Sequence, residues 1–595
     1  MKLVALVVIL GQSCVGATIY VNAALSTGAN SGASWNDSFR GATGLQAALA
    51  VSNAGDEIWV ATGTYKTGAP GVDPLASFVL KDGVSVLGGF VGAEMQASQR
   101  DPAAHQCTLS GDVLGNDGDG SNIQDNAFHV VTATGVGPSA VLDGFTVMGG
   151  LAASRTQGSM PDVEAGAGLL LKGGASPVIR RCRFTGNRAE LKGGGASADG
   201  GSPLFDGCRF DANRARFGAG LSISGKAAAV VRGCGFVESN ANMNTVVGGG
   251  IAVGVGSFQV LASPASATIE DCLFSIQLAD FLAGDGLGVA VVHGEADISR
   301  CRFIRNTHFG SGGGITCGGT ARVDRCVFIG NEGKADGGAA IYGLGGHVTV
   351  TNSIFSGNDR GGFSTIMMQA SFSSGEQGSV DLINCTLFDN GAAGVRHYLL
   401  LGNSSFITAR NSVFWANRSQ GGVAESLGAS FGTGAIFLDR CDVDAWIGQV
   451  SGANIVSTDP DFVDRFGLDG VSGNEDDDLR VASGSVCIDR GNNASLPPDA
   501  TLDAGGQPRF RDDPATIDTG AGQGPRVDLG AFEFVPPCPA DVAPDGAINT
   551  LDLGVVLSAF GTSVPKGTGG DINADGEVNS LDLGALLSVF GAACP

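Results

Sequence analysis

Positive charge is scarce in this sequence. Only 35 Lys and Arg stand against 59 Asp and Glu over 595 residues, a formal net charge of −24. That balance excludes a nucleic-acid partner, which needs a basic face. So many carboxylates make calcium a natural companion. Charge of either sign is sparse, at 16% of residues against 43% apolar, and a chain this apolar is not disordered. No stretch beyond the N-terminus is long and apolar enough to act as a membrane anchor. Histidine takes no recurring position: His293, His308 and His347 are scattered, with no Ser or carboxylate partner at a telling distance. Glycine is the opposite case, with 97 residues, and here it supplies bends.

The N-terminus reads as a secretory signal over residues 1–17. Lys2 is the charged start, Leu3 to Leu10 the apolar core, and Val15-Gly16-Ala17 a small-residue cleavage site. That core is too short to cross a bilayer. Cys14 would suit a lipoprotein signal, but Gly11 stands where that signal wants Leu, so cleavage after Ala17 and export are expected.

Much of the remaining chain is repetitive. Cys182-Arg-Phe184-Thr-Gly-Asn187 returns at Cys208…Phe210…Asn213, Cys301…Phe303…Asn306 and Cys326…Phe328…Asn331. Ser replaces Cys at Ser353…Phe355…Asn358 and Ser412…Phe414…Asn417, and looser copies begin at Cys234, Cys272, Cys385 and Cys441. Most steps are 25 to 32 residues, with 38 between Cys234 and Cys272. A fixed period means one unit stacked many times. Cys and Phe two apart share a strand face, while Asn suits a bend through its tolerance of left-handed angles. Small-residue strand starts come next: Gly193-Gly-Gly-Ala, Gly248-Gly-Gly-Ile251, Gly312-Gly-Gly-Ile315 and Gly337-Gly-Ala-Ala-Ile341. Helical repeats would not tolerate this glycine load. The fold expected is all-β, a parallel β-helix of about a dozen coils, roughly 55–60 Å long.

Of 14 cysteines, eight share one repeat position. In an exported protein a disulfide array is the obvious alternative, but parallel in-register neighbours offer poor bridging geometry. A buried column of free thiols is the better reading, and a metal-binding column is worse than either, since no His recurs beside it.

Val141-Leu-Asp-Gly-Phe145-Thr-Val147 resembles the opening coil of pectate-lyase-like right-handed β-helices, and the GG(A/G)(I/L) and FxxN pairing resembles polymorphic outer-membrane protein repeats. Together they imply a secreted right-handed β-helix over roughly 18–535. Residues 18–126 resemble the N-terminal cap of such proteins, with Leu45, Ala48 and Leu49 on one face of a helix that covers the open end of the first coil. The repeats proper run over 127–457, and 458–535 resembles the family's C-terminal coils. Two acidic loops, 112–125 and 469–478, read either as cation sites or as solvated turn clusters.

Val535-Pro-Pro-Cys538-Pro is a proline-stiffened linker to a small domain over 538–595. There, Asp571, Asn573, Asp575, Asn579 and Asp582 stand at positions 1, 3, 5, 9 and 12 of an EF-hand-type calcium loop, with Gly576 at its turn and Glu577 at position 7. Leu583, Leu586, Leu587 and Phe590 give the following helix one apolar face. An earlier copy carries Asp541, Asp545, Ala547, Asn549 and Asp552, followed by Leu553, Val556, Leu557 and Phe560; Ala543 replaces its position-3 ligand, which weakens it. The pair resembles a type I dockerin. The resemblance implies Ca2+ as cofactor and a cohesin-like partner read by Thr550, Leu551, Ser580, Leu581, Leu557, Ser558, Leu587 and Ser588. The Lys or Arg that cellulosomal forms carry on these helices is missing, so another cell-surface receptor is equally open. A unit this small needs metal or crosslink to persist, and Cys538 and Cys594 flank it, placed to join its ends.

The polygalacturonase-type phrases Asn-Thr-Asp, Gly-His-Gly and Arg-Ile-Lys are absent. One candidate ligand face remains. Arg183 and Arg209 hold the same outward position on successive coils, with Arg188, Arg214, Arg181, Arg216, Asp206, Asp211 and Glu190 nearby. Such a row would grip a uronic-acid polymer through bidentate contacts, or it is a solvated face of mixed charge. Two functions are consistent with these features. One is a secreted protein that binds extracellular or cell-surface polysaccharide, in a setting of polysaccharide catabolism, and is tethered by the calcium module. The other is a polysaccharide lyase or glycoside hydrolase acting on uronic-acid-containing polymers.

Overall fold

The structure is a computed structural model that describes residues 16–595 except 70, 72–73, 119–121, 154–160, 238–245, 256–263, 277–283, 286, 309–311, 334–337, 359–363, 370–376, 392–394, 398–404, 419–426, 430–434, 448–449, 537, 544–546, 593 and 595. The export signal read at 1–17 therefore lies almost wholly outside the described residues.

Among the described residues, three parallel sheets of 16, 13 and 13 strands carry the chain from Thr18 to Ala453. Each coil gives one strand to each sheet: Val178–Arg180 to the first, Arg183–Thr185 to the second and Ala196–Asp199 to the third. The next coil lands on it in register, Ile179 on Phe205, Phe184 on Phe210 and Ala196 on Leu221. Thirteen strands at the inter-strand spacing give a rod of about 58 Å. The parallel β-helix is as expected.

The repeated phrase builds the core. Phe184, Phe210, Phe236, Phe274, Phe303, Phe328 and Phe355 are buried, and successive rings stack 4.6–4.9 Å apart and nearly parallel. Each burial contributes about 1.5–3 kcal/mol, and offset stacking adds roughly 0.5–1.5 per pair. The small-residue strand starts now have a cause. A Cβ on Gly195, Gly220, Gly288 or Gly314 would sit 2.5–2.6 Å from the next coil's carbonyl oxygen and 2.8–3.0 Å from a ring of the phenylalanine column. Glycine is the one residue that lets the third sheet approach that column.

The cysteines form the expected column of buried free thiols. They also do something the sequence left unsaid. Cys208, Cys234, Cys272 and Cys301 each donate a backbone N–H to the sulfur one coil on, at 3.3–3.4 Å. Ser takes over this acceptor role where it replaces Cys: Cys326 N–H reaches Ser353 Oγ at 3.0 Å and Cys385 N–H reaches Ser412 Oγ at 3.1 Å. Burial pushes the Cys385 and Cys441 thiols up to about 12, so they stay protonated and inert.

The repeated asparagine works differently from expectation. The left-handed residue is the one before it: Gly186, Ala212, Arg305, Gly330, Gly357, Asp389 and Ala416 all have φ between 46° and 66°. Asparagine itself is buried and links coils. Asn331 Oδ1 accepts from Asn306 N and Nδ2, while Asn331 Nδ2 donates to Phe303 O and Asn358 Oδ1, all at 2.7–3.1 Å. The same ladder runs on through Asn390 to Asn417.

At the N-terminal end, helix α1 (Gly44–Val51) buries Leu45, Ala48 and Leu49 against the first strands, as read. At the other end the expectation of further coils over 458–535 is not met. The described strands there, Phe462–Asp464 and Asp478–Val481, pair antiparallel. The segment returns along the outside of earlier coils, where Phe462 packs on Phe388 and Asn492 bonds Asn411. Its anchor is Arg509, fully buried, which bonds Glu533 at 2.6 Å, Asn352 Oδ1 at 2.8 Å and Gly530 O at 2.8 Å.

The last domain holds α2 (Thr550–Ala559) and α3 (Ser580–Ser588), each opened by an Asn cap and a capping box closed by Asp552 or Asp582. A disulfide joins Cys538 to Cys594.

Candidate functional site

The coil corner between the first and second sheets gathers the arginines. It turns on a left-handed residue just ahead of each Cys position: Arg181, Gly207, Gly233, Asp271, Arg300, Arg325, Asn384 and Arg440. The next outward position belongs to Arg183 and Arg209, which are register partners on neighbouring strands, as expected. They are not bare. Asp211, 7% exposed at its side chain, accepts from Arg183 Nε at 2.9 Å and Nη2 at 2.7 Å, from Thr185 Oγ1 at 3.0 Å and from Arg209 Nε at 3.2 Å. Burial alone would raise the Asp211 carboxyl, but Arg183 and Thr185 outweigh it and hold it below the ordinary range. Asp143 repeats the arrangement with Arg181 and Arg100 at 2.6 and 2.7 Å. Arg188 and Arg214 are brought together by a bridge of their own one bend further on, half-buried, with no ion pair among the described residues. Asp206 sits between Arg180 and Arg232 at 3.7 and 3.3 Å.

The face is therefore a ladder of alternating sign rather than a purely basic groove. Its guanidinium groups remain about half exposed: 47% for Arg183, 53% for Arg209 and 53% for Arg181 at the side chain. Each guanidinium has five donors, and the Arg183 pair with Asp211 uses only Nε and Nη2.

Sequence reasoning missed the clefts that the return segment makes where it crosses the coils. One, about 610 Å³, lies between Asp297, Ser299, Arg322, Asp324, Arg325 and Thr351 on the coils and Pro497, Asp499 and Ala500 on the return. A second, about 310 Å³, includes Arg302, Glu475, Asp478 and Arg480. The coil half was visible, since Asp297 and Arg322 hold one register position; nothing periodic announced the other wall. In the larger cleft Asp324 is fully engaged: Oδ1 accepts from Thr351 and Asn352 at 2.6 and 3.0 Å, and Oδ2 pairs with Arg325 at 2.8 Å.

The acidic loops turn their carboxylates on themselves. Asp112 accepts from Gly115 and Asn116 N–H, Asp476 from Leu468 and Asp469, and Asp477 from Gly473 and Asn474. His293 and His347 are surface residues; the side chain of His308 lies outside the described residues.

In the C-terminal domain Gly576 takes a left-handed φ of 94°, the sharp turn expected of it. Asp571 Oδ1 and Asn573 Oδ1 both face the Asp575 N–H, at 3.1 and 2.9 Å, so the first two loop oxygens share one neighbourhood. Asp582 accepts N–H groups from Ile572, Asn573 and Asn579 at 2.8–3.0 Å. Burial alone would raise Asp582, but these donors hold it low, so the carboxylate stays ionised. An all-oxygen set on a tight loop fits a hard cation. The first copy keeps Asp541, Ala547, Asn549 and Asp552 on the same frame, with Asp552 accepting from Ala543 and Asn549; Asp545 lies outside the described residues. The helices do not bury the whole apolar face the spacing suggested. Val556 and Leu586 point in, while Leu551, Leu557, Leu581 and Leu587 are 53–64% exposed, at matching places in the two copies.

A family model described as "Right handed beta helix region" matches residues 119–277. A search of curated proteins finds no match. Among solved structures the chain is similar to one titled "Crystal structure of pectate lyase Pel9A", at 14% identity and a TM-score of 0.32, over 87% of this chain and 96% of that one. The in-register sheets make the chain a parallel β-helix protein, and its residues 119–277 are similar to the right-handed β-helix family model.

Proposed function

We propose that the protein is exported and that its coil face binds a polysaccharide bearing uronic-acid carboxylates, while the C-terminal loop–helix pair, folded around calcium, tethers it to a receptor. One observation carries the binding reading. Arg183 and Arg209 stand one coil apart in register, half exposed, with donors left over after pairing with Asp211. A polymer lying across these two coils would meet two guanidinium groups one inter-strand spacing, about 4.8 Å, apart, and its carboxylates would be recognised by charge-assisted bonds. The exposed leucines at matched places on α2 and α3 support a docking role for the tail.

A specific feature favours the catalytic reading. Asp297, Asp324, Arg322 and Arg325 share one cleft, and a lyase needs carboxylates for calcium beside a basic group. Asp324 has its oxygens committed to Thr351, Asn352 and Arg325, however. Binding is the better account.

Affinity electrophoresis of the full chain in gels containing polygalacturonate, alginate or a neutral glucan, with calcium present, tests it. Expected is retardation by a uronic-acid polymer, weakened by salt and reduced about 10- to 100-fold in the double variant R183A/R209A. No unsaturated product or new reducing end should form. Equal migration in every gel overturns the binding reading; turnover lost in R183A or R209A replaces it with catalysis.

A further inference from the structure

A second acidic constellation lies in the return segment, away from the arginine face and from the C-terminal loops. Carboxylate oxygens of Asp489, Asp512 and Asp518 lie within 4.8 Å of one another. Three like charges so close repel strongly unless something positive stands between them. Acidic clusters on protein surfaces are common and usually hydrated, but this one differs at its base. Asp489 is fully buried, and among the described residues its Oδ1 has no hydrogen-bond donor, while Oδ2 accepts the Asp513 N–H at 3.2 Å. An orphaned buried carboxylate oxygen is expensive, and it belongs to the same carboxylate that joins the cluster.

We infer that Asp489, Asp512 and Asp518 form a divalent-cation site, and that calcium is its ligand. The donors are all hard oxygens with no His or Cys among them, which disfavours zinc. Asp512 and Asp518 come from an irregular loop, a setting that suits calcium's flexible coordination better than magnesium's octahedron.

The position gives the ion a task. Residues 487–492 are sandwiched between the coils and the last part of the return. Asn492 N–H reaches Asn411 Oδ1 at 2.8 Å on the coil side, and Gly491 N–H reaches Val527 O at 2.7 Å on the other. The Asp489 carbonyl accepts from Thr519 and Gly520 at 3.1 and 2.9 Å, and Arg440 Nη1 reaches Thr519 O at 3.0 Å. An ion on Asp489 that also holds Asp512 and Asp518 would clip the 511–520 loop to this buried strip and lock the return segment onto the coil end.

The test uses the full chain, apo or in about 5 mM Ca2+, above the roughly 10⁻⁴–10⁻³ M range of extracellular calcium modules. Hydrogen exchange is followed in peptides spanning 511–521, and bound ions are counted by equilibrium dialysis. Asp512→Asn/Asp518→Asn alters exposed carboxylates and leaves buried Asp489 in place, so folding survives. Asp571→Asn/Asp582→Asn silences the C-terminal loop separately. Expected is at least tenfold slower exchange of 511–521 with calcium, lost in D512N/D518N together with one bound ion and kept in D571N/D582N. Calcium-independent exchange at 511–521 in the parent, or an unchanged ion count in D512N/D518N, would overturn the site.

Discussion

Replacing Asn331 with Ala probes what holds one coil to the next. The change deletes four side-chain bonds: two accepted by Oδ1 from Asn306 and two donated by Nδ2 to Phe303 O and Asn358 Oδ1. Some partners have a fallback. Asn306 Nδ2 keeps Phe274 O at 3.1 Å, and Asn358 Oδ1 keeps the Asn331 N–H at 3.0 Å. The Asn306 N–H loses its acceptor, and the Phe303 carbonyl loses a donor. At about 1–3 kcal/mol for each of these two buried groups left short, N331A should cost roughly 2–6 kcal/mol. N331D separates the two halves of the role. It keeps the acceptor for Asn306 but turns a carboxylate oxygen toward Phe303 O and Asn358 Oδ1, so it must be protonated to fit. Its folded pKa is then raised above the unfolded value near 4, and its stability is present below that value and lost as pH rises through the folded pKa. N331A has no such pH dependence. Repeat arrays couple mainly to nearest neighbours, so native-state hydrogen exchange should lose protection in the coils holding Cys301–Asn306 and Cys326–Asn331 and keep it around Cys182–Asn187. A change below about 0.5 kcal/mol in N331A, the level of an ordinary surface substitution, would refute the ladder as a stabilising device.

Arg509→Met strands Glu533 in a buried site and should destabilise the return segment by about 3–5 kcal/mol, seen as rapid limited proteolysis within 458–535 while the coils resist. Gly314→Ala puts a Cβ 2.5 Å from Ala340 O and 3.0 Å from the Phe328 ring and should cost about 1–3 kcal/mol or more, read as a lowered melting temperature. Burial, with the nearby Asp489 carboxylate adding to it, raises Asp528 to about 7. A carboxyl raised in the folded state stabilises fully below its unfolded pKa and ceases to do so as pH rises through the folded one, so the return segment should melt at lower temperature near pH 8.5 than near pH 5.5. Asp211 and Asp143 are held low and lose their contribution only as pH falls below the ordinary carboxylate range, outside that window.

What the sequence made legible is what repeats. Cys-x-Phe alternation put both side chains inside, the recurrence put the rings in one column, and Leu45, Ala48 and Leu49 marked the cap helix. The asparagine was misread for a local reason. Its side chain suits a bend, but the bend had already been made by the residue before it, which freed the amide to reach the next coil. The return segment was illegible for the opposite reason. Its contacts, such as Arg509 with Asn352 and Arg302 with Glu475, span 157 and 173 residues and occur once each. The arginine row and its mixed charge were both legible, with Asp211 named beside it; what the register could not say is that one carboxylate engages both Arg183 and Arg209. Leu557 and Leu587 look like core from their spacing while the dockerin resemblance gives them to a partner, and packing leaves them exposed beside buried Val556 and Leu586.

The left-handed corners make the rod's length a counted quantity. Arg300 and Arg325 close successive corners with φ of 53° and 51°, so excising residues 301–325 would splice one corner onto its twin. Phe328 would then rest on Phe274, and the rod would be shorter by about 4.8 Å. Losing a single residue instead would slide an arginine or valine into a phenylalanine's slot. Such a molecule tolerates change in whole turns and resists it in fractions.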